Sequence, residues 1–311
     1  MKKLFIAMLA VAAVTACAKD EAISIDRQAI GFGNPFVENA VRATDNTYGK
    51  VALEAFNVYG TVTGTAGTVN IFDGVLVEGE VGNADWSYDE QYNQYWIPGA
   101  SYKFAAIVDA DAVAQDTNKM PTTITYNTEG QKDLLYATAT VNNAVAEQDR
   151  VNFNFEHLLS KAQFTVTSNA MGGYYHSVTG ISVSNFETGT YTIAYADANT
   201  DGKDDGTWAG TNATSISFGD VTEVTGASGA KTNATQMLLV PNTAAFNVTF
   251  TVELYKNGTK LGTETKTIPV DTDLVKGNSY NFTIKCSVGN PIKFGVTNNP
   301  SWGDTTDVAI Q

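Results

Sequence analysis

Apolar and polar residues alternate along most of this chain, and no segment sustains the 3.6-residue apolar period of an amphipathic helix. The alternation is clean in Val151-Asn152-Phe153-Asn154-Phe155, in Val248-Thr249-Phe250-Thr251-Val252-Glu253-Leu254 and in Ile292-Lys293-Phe294-Gly295-Val296. Thr fills many polar positions and suits a half-buried pleated surface, while Asn, Asp and Gly punctuate the runs and suit turns. In Leu254-Tyr255-Lys256-Asn257-Gly258-Thr259-Lys260-Leu261 the Asn-Gly pair supplies the two positive φ values of a type I′ hairpin. Many short strands between such turns predict an all-β chain of antiparallel sandwiches. Helix is expected only as short turns over 50–56 and 157–160.

At 311 residues the chain is long enough for two domains, and with 43% hydrophobic residues it can bury real cores. A boundary is expected near 158–161, after the Phe153/Phe155 strand. The balance of 33 acidic to 19 basic residues, a net charge of −14, disfavours nucleic-acid binding and simple docking on anionic membranes. Two His and two Cys leave little for nucleophile–base catalysis or a zinc site, so no enzymatic role is expected.

The first residues carry a processing signal. Lys2 and Lys3 precede an apolar run over 4–14 that is too short to span a bilayer, which marks a signal peptide over 1–16. The run ends Val14-Thr15-Ala16-Cys17, which resembles the bacterial lipobox and makes Cys17 the lipidated residue, a palmitate-type anchor on an outer membrane. The plainer alternative is an ordinary secretory signal with Cys17 a core residue. Lys19-Asp20-Glu21 resembles the surface-export signal of Bacteroidetes lipoproteins, or is a solvated linker. Once Cys17 is acylated, Cys286 is the one remaining thiol, and its alternating context makes it a small core hydrophobe.

Asp197, Asn199, Asp201 and Asp205 place oxygen ligands at positions 1, 3, 5 and 9 of a loop with Gly202 at position 6, similar to an EF-type calcium loop. Position 12 is Trp208 instead of the bidentate Glu, and no helices flank the loop. The alternative is an exposed connection between strands at 191–196 and 207–209. No other cofactor is expected. His157 is expected to be a structural hydrogen-bonding residue, and His176, after Gly172-Gly173, a loop residue. Trp86, Tyr88, Tyr92, Tyr95 and Trp96 form an aromatic cluster, expected in the core; exposed, such rings would stack on sugars.

Several segments in order resemble the fimbrillin family, the type V pilin-like lipoproteins of Bacteroidetes. These are Phe56-Asn57-Val58-Tyr59-Gly60; Tyr95-Trp96-Ile97-Pro98 followed by Tyr102-Lys103-Phe104-Ala105-Ala106; Asp133-Leu134-Leu135-Tyr136-Ala137; and Val151 through Phe153, Phe155 and His157 to Lys161, with Trp302 near the C-terminus. The resemblance implies two tandem antiparallel β-sandwiches of the transthyretin-like, Greek-key kind, over 43–158 and 159–311. It also implies a lipidated segment 17–42 that carries a removable first strand. The implied role is a fimbrial subunit at the cell surface, with other subunits of the same or minor pilin type as partners and adhesion to a host or glycan ligand as outcome. Such subunits assemble by strand exchange, in which an Arg-specific protease removes the first strand and a neighbour's C-terminal strand refills the groove. Arg42-Ala43-Thr44, in a turn-like neighbourhood, resembles the maturation site; Arg27 is the competitor. In a stalk subunit, alternate Val308 and Ile310 make the tail over 302–311 the expected donor. The rival reading is a non-polymerising surface lipoprotein that binds glycans through Trp86, Trp96 or Trp208.

Overall fold

The computed structural model describes residues 28–37, 53–80, 86–169, 171–196, 203–225, 229–232, 235–299 and 302. Among them the chain is nearly all β, as its alternation predicts. The first sheet has six strands in the order β1-β8-β7-β4-β2-β3. These are β1 (Phe36–Val37), β2 (Ala55–Gly64), β3 (Gly67–Glu78), β4 (Ser101–Val108), β7 (Leu135–Val141) and β8 (Asn154–His157). All neighbours in it are antiparallel except β1 and β8, which run parallel.

The second sheet is organised by one long strand, β10 (Tyr174–Thr192). One edge of β10 pairs with β14 (Phe246–Lys256) over residues 174–183 and then with β6 (Pro121–Asn127) over residues 188–192. Its other edge pairs with β11 (Thr207–Val224), while β15 (Thr259–Val270) and β5 (Ala112–Gln115) flank β14 and β6. The third sheet sets β9 (Ser160–Asn169) between β12 (Gly229–Thr232), β13 (Met237–Leu239) and the parallel β16 (Ser279–Ser287), with β17 (Lys293–Asn299) outside β16.

Period-two burial explains these strands. In β14, Phe246, Val248, Phe250 and Val252 face inward. The outward Thr249 and Thr251 bond Thr267 and Thr265 across the strand at 3.1 and 2.9 Å. The turn between β14 and β15 is the expected one, with φ 47° at Asn257 and 85° at Gly258. Ile292, Phe294 and Val296 pack half-buried against the second core, and Cys286 is fully buried there. Burial pushes its thiol up to about 12.

Three apolar clusters result. Phe56, Val58, Phe72, Val77, Phe104 and Phe155 belong to the first, and Phe164, Val183, Phe250, Phe282 and Ile284 to the second. The third, with Tyr126, Tyr136, Leu158, Leu159, Tyr191 and Trp302, joins residues from both halves of the chain. The expected boundary at 158/159 therefore falls between two fully buried leucines of this shared cluster.

Two expectations need correction. Ala55 and Phe56 open β2, and 157–160 hold the end of β8 and the start of β9, so neither contains a helical turn among the described residues. Leu158 and Leu159 are buried in succession because both pack into the shared third cluster. The short helices are 3₁₀ turns at Glu90–Tyr92 and Thr128–Gly130. His176 lies inside β10 and opposite Leu254, not in a loop; the Gly172-Gly173 turn ends before it.

Candidate functional site: a groove in the first core filled by residues 28–37

Residues 28–37 lie along the open side of the first core as an extended segment between two stretches of backbone. On one side Ile30 donates its N–H to Gln94 O at 2.8 Å, and Gln28 O accepts from Trp96 N at 3.2 Å. On the other, Gly33 N–H reaches Val151 O at 2.9 Å, Val151 N–H reaches Gly31 O at 2.9 Å, and Phe36 N–H reaches Phe153 O at 2.9 Å. Tyr88 Oη adds a bond to Ile30 O at 2.7 Å. Without the segment, these partner groups on residues 94, 96, 151 and 153 lose their bonds, and β8 becomes a sheet edge.

The side chains make the stronger attachment. Phe32 is 0% exposed and stands at the middle of an aromatic shell. Its ring centroid lies 5.7 Å from Phe72, 5.7 Å from Tyr88, 5.8 Å from Phe153, 6.1 Å from Phe56 and 6.2 Å from Phe104, mostly edge-to-face. Ile30 is buried beside it. Gly33 passes close to the chain at Asn152, where an added Cβ would meet Oδ1 at 2.1 Å. Phe36 by contrast is 60% exposed. The segment thus attaches by one aromatic plug, by Ile30, buried Pro35 and half-buried Val37, and by a two-sided backbone ladder.

A second constellation lies where the three sheets meet. Lys276 Nζ donates to Glu156 Oε2 at 2.6 Å, to Tyr191 Oη at 3.2 Å and to Asp204 O. Glu156 Oε1 accepts from Asp204 N at 3.0 Å. Burial pushes the Glu156 carboxyl above its ordinary range, and the Lys276 ammonium works against that rise. Asp204 Oδ1 accepts from Tyr191 Oη, Ala194 N and Gly206 N at 2.9, 3.0 and 2.9 Å, which closes the mouth of the β10–β11 connection. Nearby, the His157 ring stacks on Trp302 at 4.0 Å and 8°, with Nδ1 3.0 Å from Asp133 Oδ1. Lys161 Nζ bonds Trp302 O and sits 5.4 Å from the indole centroid. This fastens the chain at residue 302 to the third core.

Cys17, Arg42, Ala43, Asp197, Asn199 and Asp201, with the tail beyond 302, lie outside the described residues. Asp205 is described, and its N–H bonds Ala196 O at 2.8 Å. Its neighbour Asp204 is the carboxylate that bonds the described residues on either side, Ala194 and Gly206, and no motif singles it out. No group of three or more His, Cys, Asp or Glu is placed to hold a metal among the described residues. Trp86 and Trp96 are buried in the first core, which leaves neither ring free for a sugar, whereas Tyr92 and Tyr95 of the same expected core cluster are exposed. Trp208 is half-buried, with its indole N–H on Leu158 O at 2.8 Å. His157 is structural, as expected.

The fold is an all-β arrangement of packed sheets whose first core is completed by an N-terminal extended segment. The family model described as fimbrillin-like matches residues 41–300, and the chain belongs to that family, one of fimbrial structural and adhesion proteins and not of enzymes. Among solved structures it is similar to a fimbrial protein from Bacteroides vulgatus, at 17% identity and a TM-score of 0.55 over 88% of this chain and 99% of that one. It is also similar to candidate cell adhesion proteins from Bacteroides uniformis (17% identity, TM-score 0.53, 90% of this chain and 99% of that one) and Bacteroides ovatus (17%, 0.52, 88% and 96%). At such identities these likenesses speak for the fold alone. A search of curated protein sequences finds no match.

Proposed function

We propose that the protein is a structural subunit of a surface fimbria, exported to the outer membrane as a lipoprotein on Cys17 and assembled by strand exchange with other fimbrial subunits. Cleavage between Arg42 and Ala43 separates the lipidated segment, including residues 28–37, from the body. A strand of a neighbouring subunit then takes the vacated place, and the fibre contributes to adhesion. The observation that carries this reading is the mode of attachment of residues 28–37. They are held by main-chain bonds that any extended segment can make and by a plug at Phe32 that a second chain can supply. An emptied groove is unstable in water, because it exposes an aromatic pocket and unpaired backbone groups, and that instability drives refilling.

Digestion of the purified precursor with an Arg-specific protease tests this. The expected result is one discrete product that begins at Ala43 and forms polymers, while Arg42→Ala stays intact and monomeric. Resistance at Arg42, or a product that is simply degraded, contradicts it. The anchor has its own test: Cys17→Ser is expected to release the protein from the membrane fraction or to leave unprocessed precursor, and normal cleavage with continued membrane association contradicts lipidation.

A further inference from the structure

We propose that a polar cavity between the first sheet and the β10–β11 connection binds the terminal sugar residue of a neutral glycan. The inference rests on the adhesion part of the reading above, to which it adds a ligand class, and it does not involve strand exchange. The cavity measures about 240 Å³, below the span of drug-sized pockets and suited to one small ring. One wall is the face of the first sheet turned away from the first core, where β7 and β8 present Thr138, Asn154 and Glu156. The facing wall is the connection itself, with Tyr195 and Asp204. Both are held in place: Asp204 N–H donates to Glu156 Oε1 at 3.0 Å, and Tyr195 Oη donates to Pro121 O at 2.8 Å.

Asp204 is 8% exposed and its Oδ1 accepts three hydrogen bonds, yet its Oδ2 has no partner among the described residues. A buried carboxylate oxygen in that state calls for a donor, and a sugar hydroxyl supplies one. Tyr195 has a φ of 54°, in the left-handed region that a glycine or asparagine adopts at less cost. That strain holds an aromatic ring in the cavity wall, partly exposed and anchored through its hydroxyl, as a flat apolar face for a sugar ring. The charges exclude other classes of ligand. Glu156 and Asp204 repel an anion, while Lys203 in the wall and Lys276 bonded to Glu156 repel a cation. An apolar ligand would strip water from these polar groups and return no hydrogen bond. A neutral ring rich in hydroxyls meets every requirement, and the exposed Thr138 and Asn154 give it a further hydroxyl and an amide to bond.

Saturation-transfer NMR on the purified full chain, in chelator, tests this. The probes are the methyl glycosides of glucose, galactose, mannose and N-acetylglucosamine, with methyl glucuronide and methyl glucosaminide as charged counterparts. At least one neutral glycoside is expected to bind with a Kd of about 1–10 mM, the range for one small ring held by a few hydrogen bonds. The charged sugars are expected to bind at least ~10-fold more weakly. Ala196→Phe fills the cavity from an exposed position and is expected to abolish binding with unchanged melting. Asn154→Ala is expected to weaken binding about 3–10-fold. Failure of all four neutral glycosides to bind below ~50 mM overturns the site, as does a charged sugar that binds as tightly as they do. Binding that survives in a folded Ala196→Phe variant also overturns it; if that variant melts early, unchanged affinity in Asn154→Ala does so instead. A free hexose that binds where its methyl glycoside does not overturns the glycan end. Loss of the site leaves the fimbrial role standing, because that role is read separately from cleavage at Arg42 and polymer formation.

Discussion

Replacing Phe32 with alanine in the intact chain removes the side chain on which the first core closes. The ring is 0% exposed and contacts five aromatic neighbours at 5.7 to 6.2 Å, so little of the space left can be recovered by collapse. Removal of a buried Phe costs ~3–5 kcal/mol, the sum of lost transfer energy and the cavity. At roughly 2–4 °C per kcal/mol for a protein of this size class, the melting temperature falls by about 6–20 °C. Guanidinium unfolding followed by tryptophan fluorescence is the direct assay, because Trp86 and Trp96 both belong to the first core. Phe36→Ala is the internal control. It lies in the same segment but is 60% exposed, and is expected to change stability by no more than about 0.5 kcal/mol. A Phe32→Ala loss below ~1 kcal/mol, or equal losses for the two variants, refutes the claim that Phe32 plugs the core.

Lys276→Met strands the buried Glu156 carboxylate and is expected to cost ~3–5 kcal/mol in chemical denaturation, with most of it recovered in the Glu156→Gln/Lys276→Met double variant. Because burial already holds the Glu156 carboxyl high, its neutral form favours the fold at low pH and that contribution is lost as pH rises through the raised value; the Lys276→Met deficit is therefore larger at pH ~8 than at pH ~5. His176, bonded to Ser168 Oγ at 2.7 Å, is held below its ordinary range by burial. Its contribution is present above about pH 6.5 and falls by up to ~1.4 kcal/mol per pH unit on acidification, a slope that His176→Gln is expected to remove in a melting series. Calcium at Asp197, Asn199, Asp201 and Asp205 predicts a higher melting temperature in millimolar Ca²⁺ than in chelator, and superimposable curves retire that site.

The strands were legible because each carries its burial pattern locally. Phe153 and Phe155 face the first core, Phe250 and Val252 the second, and Asn257-Gly258 specifies its own turn. What was not legible depends on partners far along the chain. Ile30 and Phe32 keep the period of two, but a lone ring between Gly31 and Gly33 does not announce the centre of a core, which emerges only when residues 86–95 and 151–153 enclose it. The charged cluster is hidden for the same reason: Glu156 and Lys276 are separated by 120 residues, and each alone looks like an ordinary surface charge. The β5–β6 hairpin pairs with the far end of β10, which no local pattern announces, and that pairing puts the shared third core across the expected domain boundary.

Mass spectrometry of subunits taken from isolated surface fibres tests the central claim most directly, since removal of residues 28–37 is what strand exchange requires. The expected result is a mature N-terminus at Ala43, with no peptide from residues 28–37 among the fibre subunits. Fibre subunits that begin at acylated Cys17 and retain Phe32 in an uncut chain would contradict it.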